Sequence, residues 1–187
     1  MTPLRITCVT LEMGCGGAQR VMQSLTGHLV AAGHRLTLVQ LDGSVPDFFA
    51  VDPRVHRPPP MANGRDGFHP LDLAGRWRWF ATLRRQLLAA APEVVIVFQE
   101  VPSIEVLLAL AGTGVPVIAC EHNEPRWYPI PRRWQVLRRL LYPRARVVVV
   151  LNEAIADWSR SIVPPWPSVT IANPLEPAPP AQPAGGG

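Results

Sequence analysis

The sequence predicts an α/β fold, a doubly wound parallel sheet of Rossmann-like form, on three observations. Short apolar runs alternate with stretches of helical periodicity along almost the whole chain. The runs are denser in apolar residues than a half-buried strand allows, as in Leu36-Thr37-Leu38-Val39-Gln40-Leu41 and Val94-Val95-Ile96-Val97-Phe98. Such density marks strands covered on both faces. A glycine-rich turn, Gly14-Cys15-Gly16-Gly17, joins the first run to the first helix. With 187 residues, 48% of them hydrophobic, the chain has material for one such domain with a proper core.

The elements follow in order. Residues 6–11 read as the first strand. The next helix places Ala18, Val21, Met22, Leu25 and Leu29 on one face, and Gly33 closes it. Residues 35–41 form the second strand and complete a βαβ unit with a right-handed crossover. Residues 44–71 are irregular: Pro58-Pro59-Pro60 breaks any helix, Val55-His56-Arg57 offers a short extra strand, and residues 61–67 have the composition of a flexible loop. Residues 71–91 are helical, with Leu73, Trp77, Phe80, Leu83 and Leu87 as the core stripe and Trp79 off it.

A strand over 93–98 leads through a loop, 99–103, into a helix over 104–111 and a strand over 115–120. The helix over 131–142 sets Trp134, Leu137 and Leu141 on its apolar side and Arg132, Arg133, Arg138 and Arg139 on other faces. A strand over 146–151, Asn152 as N-cap of a helix over 153–162, and a short strand over 169–171 complete the domain. That domain spans residues 1–174. Residues 175–187, rich in Pro, Ala and Gly, have too little to bury and read as a disordered tail.

Composition narrows the function classes. All 18 basic residues are Arg, against 14 acidic ones, for a net charge of +4. No basic block dominates, so no nucleic-acid partner is expected. Cys8 and Cys120 lie in apolar runs as small core residues. With Cys15 they form neither a CxxC pair nor a Cys/His cluster, so no metal is expected and a reducing compartment fits. The first strand begins too soon for a signal peptide to precede it. No apolar run reaches the roughly 18–20 residues of a membrane span, so a cytoplasmic location is expected.

In a doubly wound sheet, ligands bind beyond the carboxyl ends of the strands. Four features follow strands directly: the glycine turn, residues 99–103, the triplet Glu121-His122-Asn123, and Asn152. The glycine turn aims backbone N–H groups and a positive helix end at one point, which suits a phosphate. It offers two of the three glycines of a dinucleotide fingerprint, with Gln19 in place of the third and Asp42 available to a ribose. His122 suits hydroxyl recognition or acid/base work, with Glu121 beside it to orient the ring. The plainer reading is that His122 caps a loop and Glu121 pairs with an arginine.

Five stretches carry a family resemblance. They are Gly16-Gly17-Ala18-Gln19-Arg20-Val21-Met22, Gly33-His34, Pro92-Glu93-Val94-Val95-Ile96, Gly114-Val115-Pro116-Val117-Ile118-Ala119-Cys120-Glu121-His122-Asn123, and Ala172-Asn173-Pro174. In that order they resemble the amino-terminal domain of family 4 glycosyltransferases, above all transferases of bacterial surface polysaccharide assembly. The resemblance implies one half of a GT-B fold, in which two Rossmann-like domains face each other across a cleft. It further implies transfer of a sugar from a nucleotide-sugar donor to a glycan or lipid-linked acceptor, with retention, and with no metal or other cofactor.

On this pattern Gly16 and Gly17 face the donor diphosphate and His122 lies near the transferred sugar. Glu121 and Asn123 support it, and Arg20 adds charge near the phosphates. The family's second domain, with its acidic E-x7-E motif, has no counterpart in these residues. Transfer is therefore expected to need a separate carboxy-terminal domain, and the alternative is a non-catalytic binding module of the same fold. A lipid-linked acceptor implies peripheral contact with the inner face of the cell membrane. The segments suited to it are Arg76-Trp77-Arg78-Trp79-Phe80 and Arg132-Arg133-Trp134 with Arg138-Arg139.

Overall fold

A computed structural model describes residues 2–61, 73–124, 127–162 and 164–174. The expected loop over 62–67 and the tail 175–187 lie outside the described residues, as does the side chain of Leu73. The strands are β1 (Arg5–Thr10), β2 (Arg35–Gln40), β3 (Val94–Phe98), β4 (Val117–Glu121), β5 (Val147–Val150) and β6 (Ser168–Thr170). The helices are α1 (Gly17–Ala31), α2 (Leu73–Ala89), α3 (Glu100–Ala109), α4 (Arg132–Leu141) and α5 (Glu153–Arg160), with a 3-10 turn at Tyr142–Arg144. All strand pairs are parallel, and the sheet order is β2-β1-β3-β4-β5-β6. The chain thus leaves β1 in one direction and returns past it in the other, which opens a crevice between the carboxyl ends of β1 and β3.

Helices α2 to α5 pack on one face of the sheet, around Leu83, Leu87, Val95, Val97, Ile104 and Val148. Helix α1 packs on the other, around Met22, Val30, Leu36, Leu38 and Cys8. Successive β residues alternate between these two cores, as the period of two requires. Cover on the second face is uneven. Ile96, Ile118, Val147 and Val149 stay half-buried, beside a cavity of about 520 Å³ that Val21 and Leu25 of α1 also line. Full cover on both faces, expected from the apolar density, therefore holds for β1 and β2 and fails over β4 and β5.

Four local expectations change. The buried stripe of α1 is Gln19, Met22, Thr26 and Val30, with Ala18, Val21, Leu25 and Leu29 on its flanks. In α2 the tryptophans exchange roles: Trp79 is 8% exposed and Trp77 75%. The stripe there runs Gly75, Trp79, Leu83, Leu87 at a spacing of four. The loop expected over 99–103 is instead the first turn of α3, which tolerates Pro102 because first-turn N–H groups have no helical acceptor. Residues 55–57 supply only one bridge, where Leu38 donates to the His56 carbonyl and His56 to that of Leu36, both at 2.9 Å.

Candidate functional site at the carboxyl rim of the sheet

The β1–α1 turn is braced from within. The Glu12 carboxylate accepts hydrogen bonds from the Gly14 N–H and, at 2.7 Å, from Gln19 Nε2. Gly16, the N-cap of α1, has extended backbone and no side-chain cap. A Cβ on Gly16 would lie 2.3 Å from Gln19 Oε1, and one on Gly14 would lie 2.5 Å from Glu12 Oε2. A side chain at either position would thus displace the carboxylate of Glu12 or the amide of Gln19 that braces the turn. Gly17 differs, since a Cβ there would meet nothing within 4 Å. Its open flank is where a phosphate has room to approach the first turn of α1. Cys15 and Arg20 are both exposed near this turn.

Across the crevice, Gln99 takes a left-handed conformation, φ 74°, between β3 and α3. Such a residue without glycine's freedom costs about 1–3 kcal/mol, and strain of that kind clusters at functional sites. The Gln99 N–H donates to the Cys120 carbonyl at 3.0 Å, and its side-chain Oε1 is buried without a partner among the described residues. The next residue, Glu100, is buried and accepts from Asn123 Nδ2 at 2.8 Å. That bond ties the end of β4 to the start of α3.

His122 follows β4 directly. Its ring lies on that of Phe98, with centroids 4.3 Å apart and planes inclined by 38°. Both ring nitrogens are buried, and neither has a hydrogen-bond partner among the described residues. Burial pushes the imidazole down to about 4, so it is neutral at pH 7 with one donor and one acceptor unmet. A buried polar group in that condition costs about 1–3 kcal/mol. The expected pairing with Glu121 is not formed.

The Glu121 carboxylate points instead into the core beneath the rim. It is fully buried, 3.7 Å from the Arg138 guanidinium. Arg138 in turn lies 5.2 Å from the Trp158 ring centre and 5.4 Å from that of Trp166. Burial outweighs the pull of Arg138 and pushes the Glu121 carboxyl up to about 7. Arg138 is therefore no surface cation, and Glu121 supports the rim from below without reaching a ligand. Asn152 caps α5 as expected, accepting from the Ile155 N–H at 2.9 Å.

The structure thus brings Gly16, Gly17, His122 and Asn123 to one rim of the sheet, with Arg20 on the outer side of α1 and Glu121 underneath. Sequence reasoning placed residues 99–103 on this rim, because they follow a strand directly, without singling out Gln99 or Glu100, and it missed Glu12, Phe98 and Arg138 as parts of the site. Of these three, Glu12 left a signal, as a carboxylate just inside a glycine turn; the contacts of the other two join distant parts of the chain.

Comparison with known proteins bears on the fold and the family. The family model described as Glycosyltransferase Family 4 matches residues 15–178. A Campylobacter jejuni α-1,4-N-acetyl-D-galactosaminyltransferase, named for an undecaprenol-diphosphate-linked glycan, is 24% identical over 151 residues. That match covers 81% of this chain and 41% of the relative. Among solved structures, sucrose-phosphate synthase from Thermosynechococcus elongatus superposes with a TM-score of 0.66 at 13% identity, over 89% of this chain and 47% of that one. A glycosyltransferase from Rickettsia africae gives 0.64 at 14% identity, over 92% and 43%. An Anabaena protein solved in complex with UDP gives 0.59 at 12%, over 91% and 44%. The chain spans about half the length, or less, of these proteins, and its sheet is that of one half of a GT-B fold. The chain belongs to glycosyltransferase family 4.

Proposed function

We propose that this chain is the amino-terminal, acceptor-side half of a retaining transferase that moves a sugar from a nucleotide-sugar donor to a glycan or lipid-linked acceptor. The observation that carries the reading is His122, a neutral imidazole whose two ring nitrogens find no partner among the described residues, at the same rim as the glycine turn. An acceptor hydroxyl or the hydroxyls of the transferred sugar would meet those two atoms. The donor diphosphate would approach at Gly16 and Gly17, chiefly on the open side of Gly17, with Arg20 adding positive charge. Asn123, fixed by Glu100, would hold the loop that carries His122, and Glu121 would anchor the same strand end from the core.

The chemistry asked of this half is modest. Charge builds on the departing nucleotide diphosphate, and preorganised N–H donors stabilise it. No metal or other cofactor enters this scheme, and the donor is a substrate. Most donor contacts would come from a second domain outside these residues. The site would act on the cytoplasmic side, at the inner face of the membrane when the acceptor is lipid-linked. A dinucleotide-binding role is disfavoured by Gln19, whose buried side chain fills the place of the third glycine and braces Glu12.

The test is transfer from a panel of nucleotide sugars, run with the chain alone, with a polypeptide carrying the second half, and with both after chelation of divalent metals. Activity from the mixture that neither part shows, unchanged by the chelator, is expected. Persistent inactivity of the mixture would leave a binding module of the same fold as the function.

A further inference from the structure

The carboxyl end of β2 carries a polar cleft on the far side of the glycine turn from His122. Gln40, the last residue of β2 and 5% exposed, donates from Nε2 to Asp47 Oδ1 at 3.1 Å. Its Oε1 accepts from Arg57 Nη2 at 2.6 Å, and the same Nη2 lies 2.5 Å from Asp47 Oδ2. These contacts close a ring that fixes Asp47 and Arg57 side by side. Both side chains stay partly open to water, Asp47 at 31% and Arg57 at 32%. With Val45 and the prolines at 58–60 they line a cleft of about 480 Å³. Arg57 uses only Nη2 in the ring, so Nε and Nη1 have no partner among the described residues. Each Asp47 oxygen keeps a further lone pair. Val45 joins the cleft to the glycine turn, its Cγ1 lying 2.9 Å from where a Cβ on Gly14 would stand. The Phe48 N–H ties the same loop to the Met13 carbonyl at 2.8 Å.

We infer that this cleft binds one sugar ring of an oligosaccharide acceptor, remote from the hydroxyl that reacts. The inference rests on the acceptor-side function proposed above and adds a subsite to it. A carboxylate only accepts hydrogen bonds and a guanidinium only donates them. Adjacent hydroxyls on a sugar do both, so they match the two groups held side by side. The charges of Asp47 and Arg57 cancel, which favours a neutral polyhydroxyl ligand over a phosphate or an ammonium. Proline and valine walls offer apolar surface to the C–H faces of a ring, and a few placed polar groups within apolar walls are the usual make-up of a small-molecule site. Gln40 already holds both polar groups, so binding needs little reorganisation. The sheet order sets which sugar the cleft takes. β1 and β3 lie between β2 and β4. The strand ends that carry the cleft and His122 are therefore three strand spacings apart, about 14 Å. A single sugar ring does not span that distance, so the subsite selects an oligosaccharide over a monosaccharide.

The test is an NMR titration of the isotopically labelled full chain with a panel of neutral mono- to tetrasaccharides built from hexoses, deoxyhexoses and N-acetylhexosamines. At least one oligosaccharide is expected to bind more tightly than its component monosaccharides and to shift the Arg57 Nε–H resonance. Inorganic phosphate and UDP, added alone, should leave that resonance in place. Asp47→Asn and Arg57→Lys should each weaken oligosaccharide binding about tenfold or more, the scale of a lost hydrogen bond to a charged group. Circular dichroism melting checks that both variants fold, and the Arg57 resonance answers on the wild-type chain if either does not. The titration needs neither a donor nor the second half of a transferase. Sugar binding of this kind without transfer by the combined halves would keep the subsite and refute the transferase function. Absence of binding, binding of monosaccharides only, an unmoved Arg57 resonance, undiminished binding by the folded variants, or a response to phosphate in place of sugar would each overturn the inference, whether or not the combined halves transfer sugar.

Discussion

Arg138 lies 3.7 Å from the Glu121 carboxylate with both groups sealed from water, and two tryptophan rings hold the guanidinium in place. This pair fastens α4 to the end of β4, one residue before His122. Removing Arg138 strips the buried carboxyl of its partner and empties the space beside the Trp158 and Trp166 rings. Arg138→Ala is expected to cost about 3–5 kcal/mol in urea unfolding. The double replacement Arg138→Met with Glu121→Leu should recover most of that loss. A single-variant cost below about 1 kcal/mol would show that the pair carries no structural weight.

The same two neighbours set an unusual pH response. His122 is pushed down to about 4 from 6.5, so its share of stability is present above pH 6.5 and is lost as pH falls through 4. Glu121 is pushed up to about 7 from 4.5, so its share is present below pH 4.5 and is lost as pH rises through 7. Between about pH 4.5 and 6.5 the two slopes oppose each other. Wild-type stability should therefore be flatter in this window than that of either variant. Glu121→Gln should gain stability as pH rises, and His122→Phe should lose it. Chemical unfolding at closely spaced pH values checks this, and a steep wild-type slope with unchanged variants would contradict it.

Gly16 and Gly17 separate a structural role from a ligand role. Gly16→Ala drives a Cβ into Gln19 Oε1 and should lower the melting temperature by several degrees. Gly17→Ala meets nothing within 4 Å, and in the first turn of α1 it should leave stability level or raise it by up to about 1 kcal/mol. A diphosphate that uses the open flank of Gly17 should nevertheless bind the Gly17→Ala protein less tightly by calorimetry. Undiminished binding would move the diphosphate away from this residue.

Trp79 and Trp77 give a check on packing alone. Trp79→Ala should destabilise by about 3–5 kcal/mol, and Trp77→Ala should stay within about 0.5 kcal/mol. The reverse order would restore the stripe that the sequence suggested.

That exchange shows where sequence reasoning reaches its limit. The six strands, their parallel arrangement and the rim that gathers the glycine turn with His122 and Asn123 were legible, because apolar density and strand–helix alternation follow directly from burial on a sheet. Trp77 and Trp79 were not, since a spacing of three or four admits either face until the neighbouring helix is known. Arg138 reads as a surface cation in any helical pattern. Glu121, Trp158 and Trp166, brought to it from elsewhere in the chain, explain its burial. Gln99 carries no signal of a left-handed conformation, which in sequence is announced by glycine or asparagine. The role of Glu12 needed the geometry of the turn before Gln19, seven residues on, became its partner.

The most direct measurement is the turnover of the chain combined with a polypeptide carrying the second half of the transferase, with and without His122→Ala. Nucleotide-sugar-dependent transfer is predicted for the wild-type combination. His122→Ala should lower kcat about 100-fold or more, the scale of a lost acid–base or hydroxyl-binding group, while the protein stays folded. Transfer by His122→Ala at the wild-type rate, or no transfer by the wild-type combination with any donor, would contradict the assignment of this rim as the reacting site.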